Sequence, residues 1–279
     1  MLRLKSTLII LSLILSFTLF NYLNESIEKP EIQITKQESA FLLKQDTYLD
    51  IIPFPKRLLS AIIWISTLLE SDMQRHYTQD ENSWLYYRFM TITRLDPFFY
   101  RNYSIGGKYL SIIKDDTFGA ENIYSKGLKI YKHDFWLLIN SAFNHYFELG
   151  NIEKAINLYD QASRYPEAQK YFPILPSLLG KLKREHGLNL EEVYLLIYQA
   201  WQKEEIPELK IRYQESLYSL RAEIDLNCLN QRKLKCKLYD HFGRPYINEG
   251  GVFKAEKDWK KFELSDRAKI KGDISPPSN

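Results

Sequence analysis

Five histidines (His76, His133, His145, His186 and His241) and two cysteines (Cys228 and Cys236) are the side chains of this chain best equipped to hold a metal or attack a substrate. A zinc site needs donors in close pairs, as in H-E-x-x-H or C-x-x-C, so that neighbouring side chains reach one ion. No histidine here forms H-E-x-x-H or H-x-H, and the cysteines, eight positions apart, lack the paired spacing of a zinc site. That spacing leaves two readings open, a local disulfide in an oxidising compartment or two unpaired thiols. Phosphate chemistry is equally unprovided for. The chain has 11 glycines and no G-x-x-x-x-G-K-[ST], G-x-G-x-x-G or G-x-S-x-G. Asp115-Asp116 and Glu191-Glu192 are paired carboxylates, but both sit at expected helix starts or turns. There a negative charge favours the helix dipole, which accounts for them without general acid–base work. No metal, no cofactor and no catalytic constellation is expected, so the reading is non-enzymatic.

The elements that would position any site are helical. Glycine is scarce, while 20 Tyr, 15 Phe and 5 Trp supply bulk. The charge of +3, from 38 basic and 35 acidic residues, gives no reason to expect a nucleic-acid partner. A triplet of small or aliphatic, bulky, small or aliphatic residues at offsets 0, 4 and 7 recurs four times. It stands at Leu85/Phe89/Ile92, Ala120/Tyr124/Gly127, Ala155/Tyr159/Ala162 and Val193/Ile197/Ala200. Each triplet lies on one face of a helix. The first three are 35 residues apart and the last follows after 38.

On these residues the chain resembles the tetratricopeptide repeat (TPR) family, whose unit is about 34 residues in two helices. The best-matched unit runs from Asp134 to Pro166, with Gly150-Asn151 at the turn, Ala155 and Tyr159 at the A-x3-F positions, and Ala162 next. The preceding unit has Tyr103, Gly106 and Gly107 on its first helix, and the earliest one ends in Leu95-Asp96-Pro97. A fourth unit has Gly180 on a first helix that begins near Pro176 or is kinked there. Phe143 departs from the pattern, standing where the family prefers a small residue. The resemblance implies an all-α, TPR-like α-solenoid of about four helix pairs over residues 57–221. Small residues there let paired helices approach, and aromatics fill the space opposite. The layout is similar to a group of bacterial membrane-anchored TPR proteins, a resemblance of organisation that implies no reaction.

The ends of the chain add a location. Residues 7–23 form an apolar run, preceded by Arg3 and Lys5 and followed by Glu25, Glu28 and Glu31. Seventeen helical residues span roughly 26 Å, the short end of what crosses a bilayer. No A-x-A-like cleavage site closes the run, so residues 1–24 read as an uncleaved anchor rather than a removed signal. The flanking charges place the amino terminus in the cytoplasm and the bulk of the chain outside, in the periplasm of a bacterium. Residues 25–56 read as a linker. Residues 58–69 are too short to span and read as a buried helix.

After Arg221 the helical pattern weakens, and residues 222–254 read as a small closing segment with a hairpin at Gly250-Gly251. Its Asp240, Gly243, Pro245 and Tyr246 form a D-x-x-G-x-P-Y string similar to one found late in pseudopilin-type subunits, although such strings also close ordinary folds. Residues 255–279 read as a charged tail containing a solvated helix. The TPR resemblance implies a concave groove that binds extended segments of other proteins. By repeat position Ser104, Lys108, Asn140 and Asn144 fall in it, the two Asn four apart on one helix face. The expected function is a membrane-tethered scaffold or assembly factor of the bacterial envelope that binds partner proteins. The alternative is an envelope enzyme or ligand-binding protein with an aromatic-lined groove, for instance towards glycan.

Overall fold

The computed structural model describes residues 55–74, 82–185, 187–233 and 235–261, with positions 12, 15–19, 22, 36 and 40. The apolar run and the linker as whole elements, His76, His186 and the tail beyond residue 261 lie outside the described residues. Among the described residues no helix is long and apolar enough to cross a membrane. The chain divides into residues 1–36 and 37–279, and all elements below belong to the second unit.

That unit is mostly helical. Its helices are α1 (Lys56–Glu70), α2 (Trp84–Leu95), α3 (Tyr100–Lys108), α4 (Thr117–Ile130), α5 (Phe135–Phe143), α6 (Ile152–Ser163), α7 (Pro166–Tyr171), α8 (Leu175–Glu185), α9 (Leu190–Lys203) and α10 (Pro207–Asn230). Two of them end in a π-helical turn, Tyr109–Lys114 after α3 and Asn144–Glu148 after α5. Helices α1 and α2, α3 and α4, and α5 and α6 pack as consecutive pairs. The next pairing changes: α8 lies mainly against α6, and α9 against α10.

Local chemistry explains where the helices start. Ser83, Asp116, Asp134, Asn151 and Asn189 are N-caps whose side chains accept a hydrogen bond from a backbone N–H in the first turn. Asn189 and Glu192 form a reciprocal capping box, so Glu192 is structural. Asp115 and Gly150, each just before a cap, both take the left-handed conformation, at φ 61° and 62°. π-helical turn, left-handed residue and N-cap thus recur in the same order in two successive units.

The pairs are held by reciprocal fits of large residues on small. A Cβ on Gly107 would stand 2.3 Å from the Tyr124 ring, and one on Gly127 would stand 2.8 Å from Tyr103. Both tyrosines are buried. Gly180 differs. The nearest atom to a Cβ there is the end of the flexible Arg184 side chain at 3.5 Å, so close packing does not explain this glycine.

Four hydrogen bonds tie successive helix pairs together. Ser83 Oγ donates to Asp116 Oδ2, Ser111 Oγ to Asn144 Oδ1, Tyr131 OH to Phe98 O, and Lys154 Nζ to Glu121 Oε1. Every one of these joins residues 33 positions apart. That offset is two short of the 35-residue spacing of the triplets, so the bonds join near-equivalent positions of successive helix pairs.

The core falls into two main clusters, one around α1–α4 and one around α5–α10. Helix α10 enters both, with Leu209 in the first and Tyr213, Leu217 and Leu220 in the second. It continues to Asn230, well past Arg221, where the sequence pattern weakens. Its Ala222 and Leu226 then join Tyr246 in a third, small cluster. That cluster holds the hairpin of β1 (Ile247–Glu249) and β2 (Val252–Lys254), antiparallel around Gly250-Gly251. Both loop glycines have positive φ, as a two-residue hairpin turn requires. Residues 255–261 are irregular and not helical. At the other end, α1 buries Ile63 and Trp64 but leaves Leu58, Ile62, Ile65 and Leu69 exposed along one face.

Candidate functional site

A cavity of about 1050 Å³ opens between the π-helical turn after α3, helix α5 and helix α10. Lys108, Ser111, Asn140 and Asn144 contribute to one side, and Arg212 and Tyr213 of α10 to the other. Of the four groove residues expected from the sequence, three therefore line one cavity. Ser104 does not; it is buried in α3.

The three are not equally available. Asn144 is 1 % exposed and its amide is spent inside the protein. Its Oδ1 accepts from Ser111 Oγ at 2.8 Å and its Nδ2 donates to Thr117 O at 3.0 Å. The π-helical turn begins at Asn144, so the α-helical register that pairs it with Asn140 on one face ends there. Asn140 is half-buried, and among the described residues its amide has no hydrogen-bond partner. Lys108 Nζ reaches Glu204 Oε2 at 2.7 Å. The other oxygen of Glu204 accepts from the backbone N–H groups of Glu205 and Ile206, at the turn into α10. Lys108 is thus a tie between α3 and the start of α10.

The α10 side of the cavity is firmly placed. Arg212 donates to Met73 O at 2.7 Å and meets Glu215 at 3.0 Å. Tyr109 OH donates to Glu208 at 3.4 Å; burial, with the Glu208 charge and hydrogen bond, pushes its phenol up to about 12. Burial likewise raises Tyr124 and Tyr213, with the charge of Glu204 in support, so both phenols stay neutral. The lining mixes aromatic side chains, among them Tyr124, Phe143, Phe147 and Tyr213, with charged ones such as Lys108 and Arg212. Arg212, Tyr213 and the α10 wall carry no motif and no one-sided apolar stripe that the sequence reading could have used.

The remaining reactive side chains are absorbed by the fold. Among the described residues no group of three or more His, Cys, Asp and Glu side chains is placed to hold a metal ion. His133 meets Tyr165 OH at 3.2 Å, and His241 meets Tyr194 OH at 3.2 Å. Buried His145 faces Glu121, with Nε2 2.6 Å from Oε2. Glu121 also receives Ser125 Oγ and, from α6, Lys154 Nζ. Burial raises this carboxyl, but His145, Lys154 and Ser125 together outweigh it and hold Glu121 at about 2. Asp116 caps α4 and also accepts from the backbone N–H and hydroxyl of Ser83.

Cys228 and Cys236 are joined in a disulfide, with Cα atoms 5.6 Å apart. The D-x-x-G-x-P-Y string is a packing device. Asp240 Oδ1 accepts from the N–H groups of Phe242 and Arg244, and Gly243 supplies a positive φ of 78°. Tyr246 OH donates to Asp225 Oδ2 at 3.2 Å, beside the buried Arg221–Asp225 ion pair. The string therefore docks the hairpin onto the end of α10. The chain matches no protein-family model, no curated protein and no solved structure.

Proposed function

We propose that the chain is a non-enzymatic, TPR-like scaffold of the bacterial envelope that binds an extended segment of a partner protein. The cavity between α3, α5 and α10 is its binding site. The observation that carries this reading is the set of hydrogen bonds between residues 33 positions apart, alongside a cavity lined from two successive units. Stacked units present a continuous inner surface, and such surfaces suit extended ligands. Asn140 can both donate to and accept from a peptide backbone, which makes it the first contact to test. In the same reading residues 7–23 tether the protein to the inner membrane, with the amino terminus cytoplasmic and the rest periplasmic. The disulfide supports that location, since such bonds persist in oxidising compartments.

The test is site-specific photocrosslinking of the full chain in cells. A crosslinker at Asn140 is expected to trap one discrete protein, and the same crosslinker at Lys129, on the exposed end of α4, is expected to trap none. Equal trapping at both positions, or none at Asn140, sinks the reading. Phe143, Phe147, Tyr213 and Trp259 at the cavity also suit a glycan. Binding of soluble glycan fragments without a protein crosslink would put that alternative in its place. A reporter fused after Asn279 and active only in the cytoplasm would overturn the topology.

A further inference from the structure

The nine residues from Cys228 to Cys236 form a disulfide-closed loop at the carboxyl end of α10. Arg232, Lys233 and Lys235 lie within it and Lys237 follows directly. All four side chains are exposed, and among the described residues none of them forms an ion pair. No acidic residue occurs between Asp225 and Asp240. Leu238 and Tyr239 come next and are 53 % and 58 % exposed. The short span thus joins four unpaired cations to two exposed apolar side chains.

Arg232 and Lys235 take the left-handed conformation, with φ of 54° and 67°. At Arg232 this is the Schellman cap that ends α10, with Arg232 N–H donating to Leu229 O and Lys233 N–H to Cys228 O, both at 3.1 Å, and the disulfide closes the loop across it. The base is fixed as well. Asn230 donates to Phe253 O and accepts from Phe253 N–H, which locks the start of the loop to β2.

We propose that this loop is a contact site for an anionic lipid surface. The loop lines neither the cavity between α3, α5 and α10 nor the smaller one along α6. An exposed basic loop with an adjacent exposed leucine and tyrosine fits a flat, negatively charged interface. There the cations meet headgroups, while the apolar side chains enter the boundary region. The disulfide keeps the cations on display, which lowers the ordering cost of contact. This inference does not depend on the binding site proposed between α3, α5 and α10.

The test is amide hydrogen exchange of the full chain in nanodiscs of phosphatidylcholine alone or mixed with phosphatidylglycerol. Exchange over residues 229–240 is expected to slow roughly tenfold in the mixed discs only. It should return to the phosphatidylcholine rate at about 1 M salt, where the screening length is near 3 Å. The quadruple variant Arg232→Glu, Lys233→Glu, Lys235→Glu, Lys237→Glu is expected to lose the protection. Unchanged exchange elsewhere in α10 would show that this variant is folded. Equal exchange in both discs overturns the proposal, as does protection that survives charge reversal. Equal protection by soluble polyglutamate in phosphatidylcholine discs would assign the loop to an acidic polymer instead. Should the charge-reversed chain not fold, the salt dependence of the unaltered chain decides alone.

Discussion

The stretch from α2 to α6 and the stretch from α8 to the hairpin are both helical, yet they are held together differently. In the first, the ties keep one constant offset of 33 positions: Ser83 to Asp116, Ser111 to Asn144, Glu121 to Lys154. In the second, the ties follow no such offset: Arg221–Asp225 and Arg244–Asp240 are four apart, the disulfide spans eight, and Asn230–Phe253 and Tyr194–His241 reach across 23 and 47. The glycines differ in parallel. Gly107 and Gly127 each receive a tyrosine, whereas Gly180 meets only the end of the Arg184 side chain, at an ordinary contact distance. The first region carries the regular offset, and the second is secured by α10 and by ionic contacts at its end.

Four substitutions can break or sharpen that contrast. The largest effect is expected at Asp225→Ala. Asp225 is buried, and its loss leaves buried Arg221 with the exposed Glu191 at 3.7 Å and takes from Tyr246 OH the shorter of its two hydrogen bonds. Removing one partner of a buried pair costs about 3–5 kcal/mol, so urea denaturation should show a loss of this size. Exchange should rise first over residues 238–254; uniform loosening of α2–α6 instead would contradict the division into two regions.

Next is Gly107→Val. The ring of Tyr124 is fully enclosed and cannot retreat from a new side chain, so a loss of about 3 kcal/mol is expected. A chain of unchanged stability would show that the reciprocal tyrosine–glycine fit does not hold this pair together.

Glu121→Gln should cost about 2–3 kcal/mol at neutral pH and also alter the acid response. The carboxyl is held at about 2 in the folded state against 4.5 for a free one. A depressed carboxylate contributes fully above its unfolded value, and that contribution is lost as pH falls from about 4.5 towards 2. The variant should therefore lose part of the wild-type decline in that window. An unchanged acid limb would remove Glu121 from the ties between units.

The smallest effect has the opposite sign. Gly180→Ala adds a methyl group where there is room and removes a flexible residue from a helix, so a gain of up to about 1 kcal/mol is expected in thermal or urea unfolding. A loss would mean that α8 packs more like α3 than its surroundings indicate.

Much of the body was legible because its signals are one-sided. Ala120, Tyr124 and Gly127 mark a face, and Gly150-Asn151 and Gly250-Gly251 mark turns that the fold uses. The candidate site was legible only on that same side. Lys108, Asn140 and Asn144 could be placed by counting along a helix, but counting does not tell which of them a neighbouring element covers, and Asn144 is buried because Ser111 and Thr117 take up its amide. Helix α10 escaped notice for a different reason. It touches core on several sides through Leu209, Tyr213, Leu217 and Leu226, so its apolar residues are spread around the axis and no stripe remains. Gly180 illustrates the converse error, since a glycine in a helix has no sequence mark that separates a required close approach from a tolerated one.

Helix α10 carries a consequence for how the protein comes apart. Units that touch only their neighbours can fray from either end, and the loss of one leaves the others standing. Here a single helix of 24 residues reaches from the cluster of α1–α4 through that of α5–α9 to the hairpin. An unravelling end must strip α10 from the middle as well, so local fraying becomes expensive and the described body is built to melt as one cooperative block. Folding bears the matching burden. Tyr109 and Glu208 lie 99 positions apart, and a loop of that length must close before the bolt can slide home.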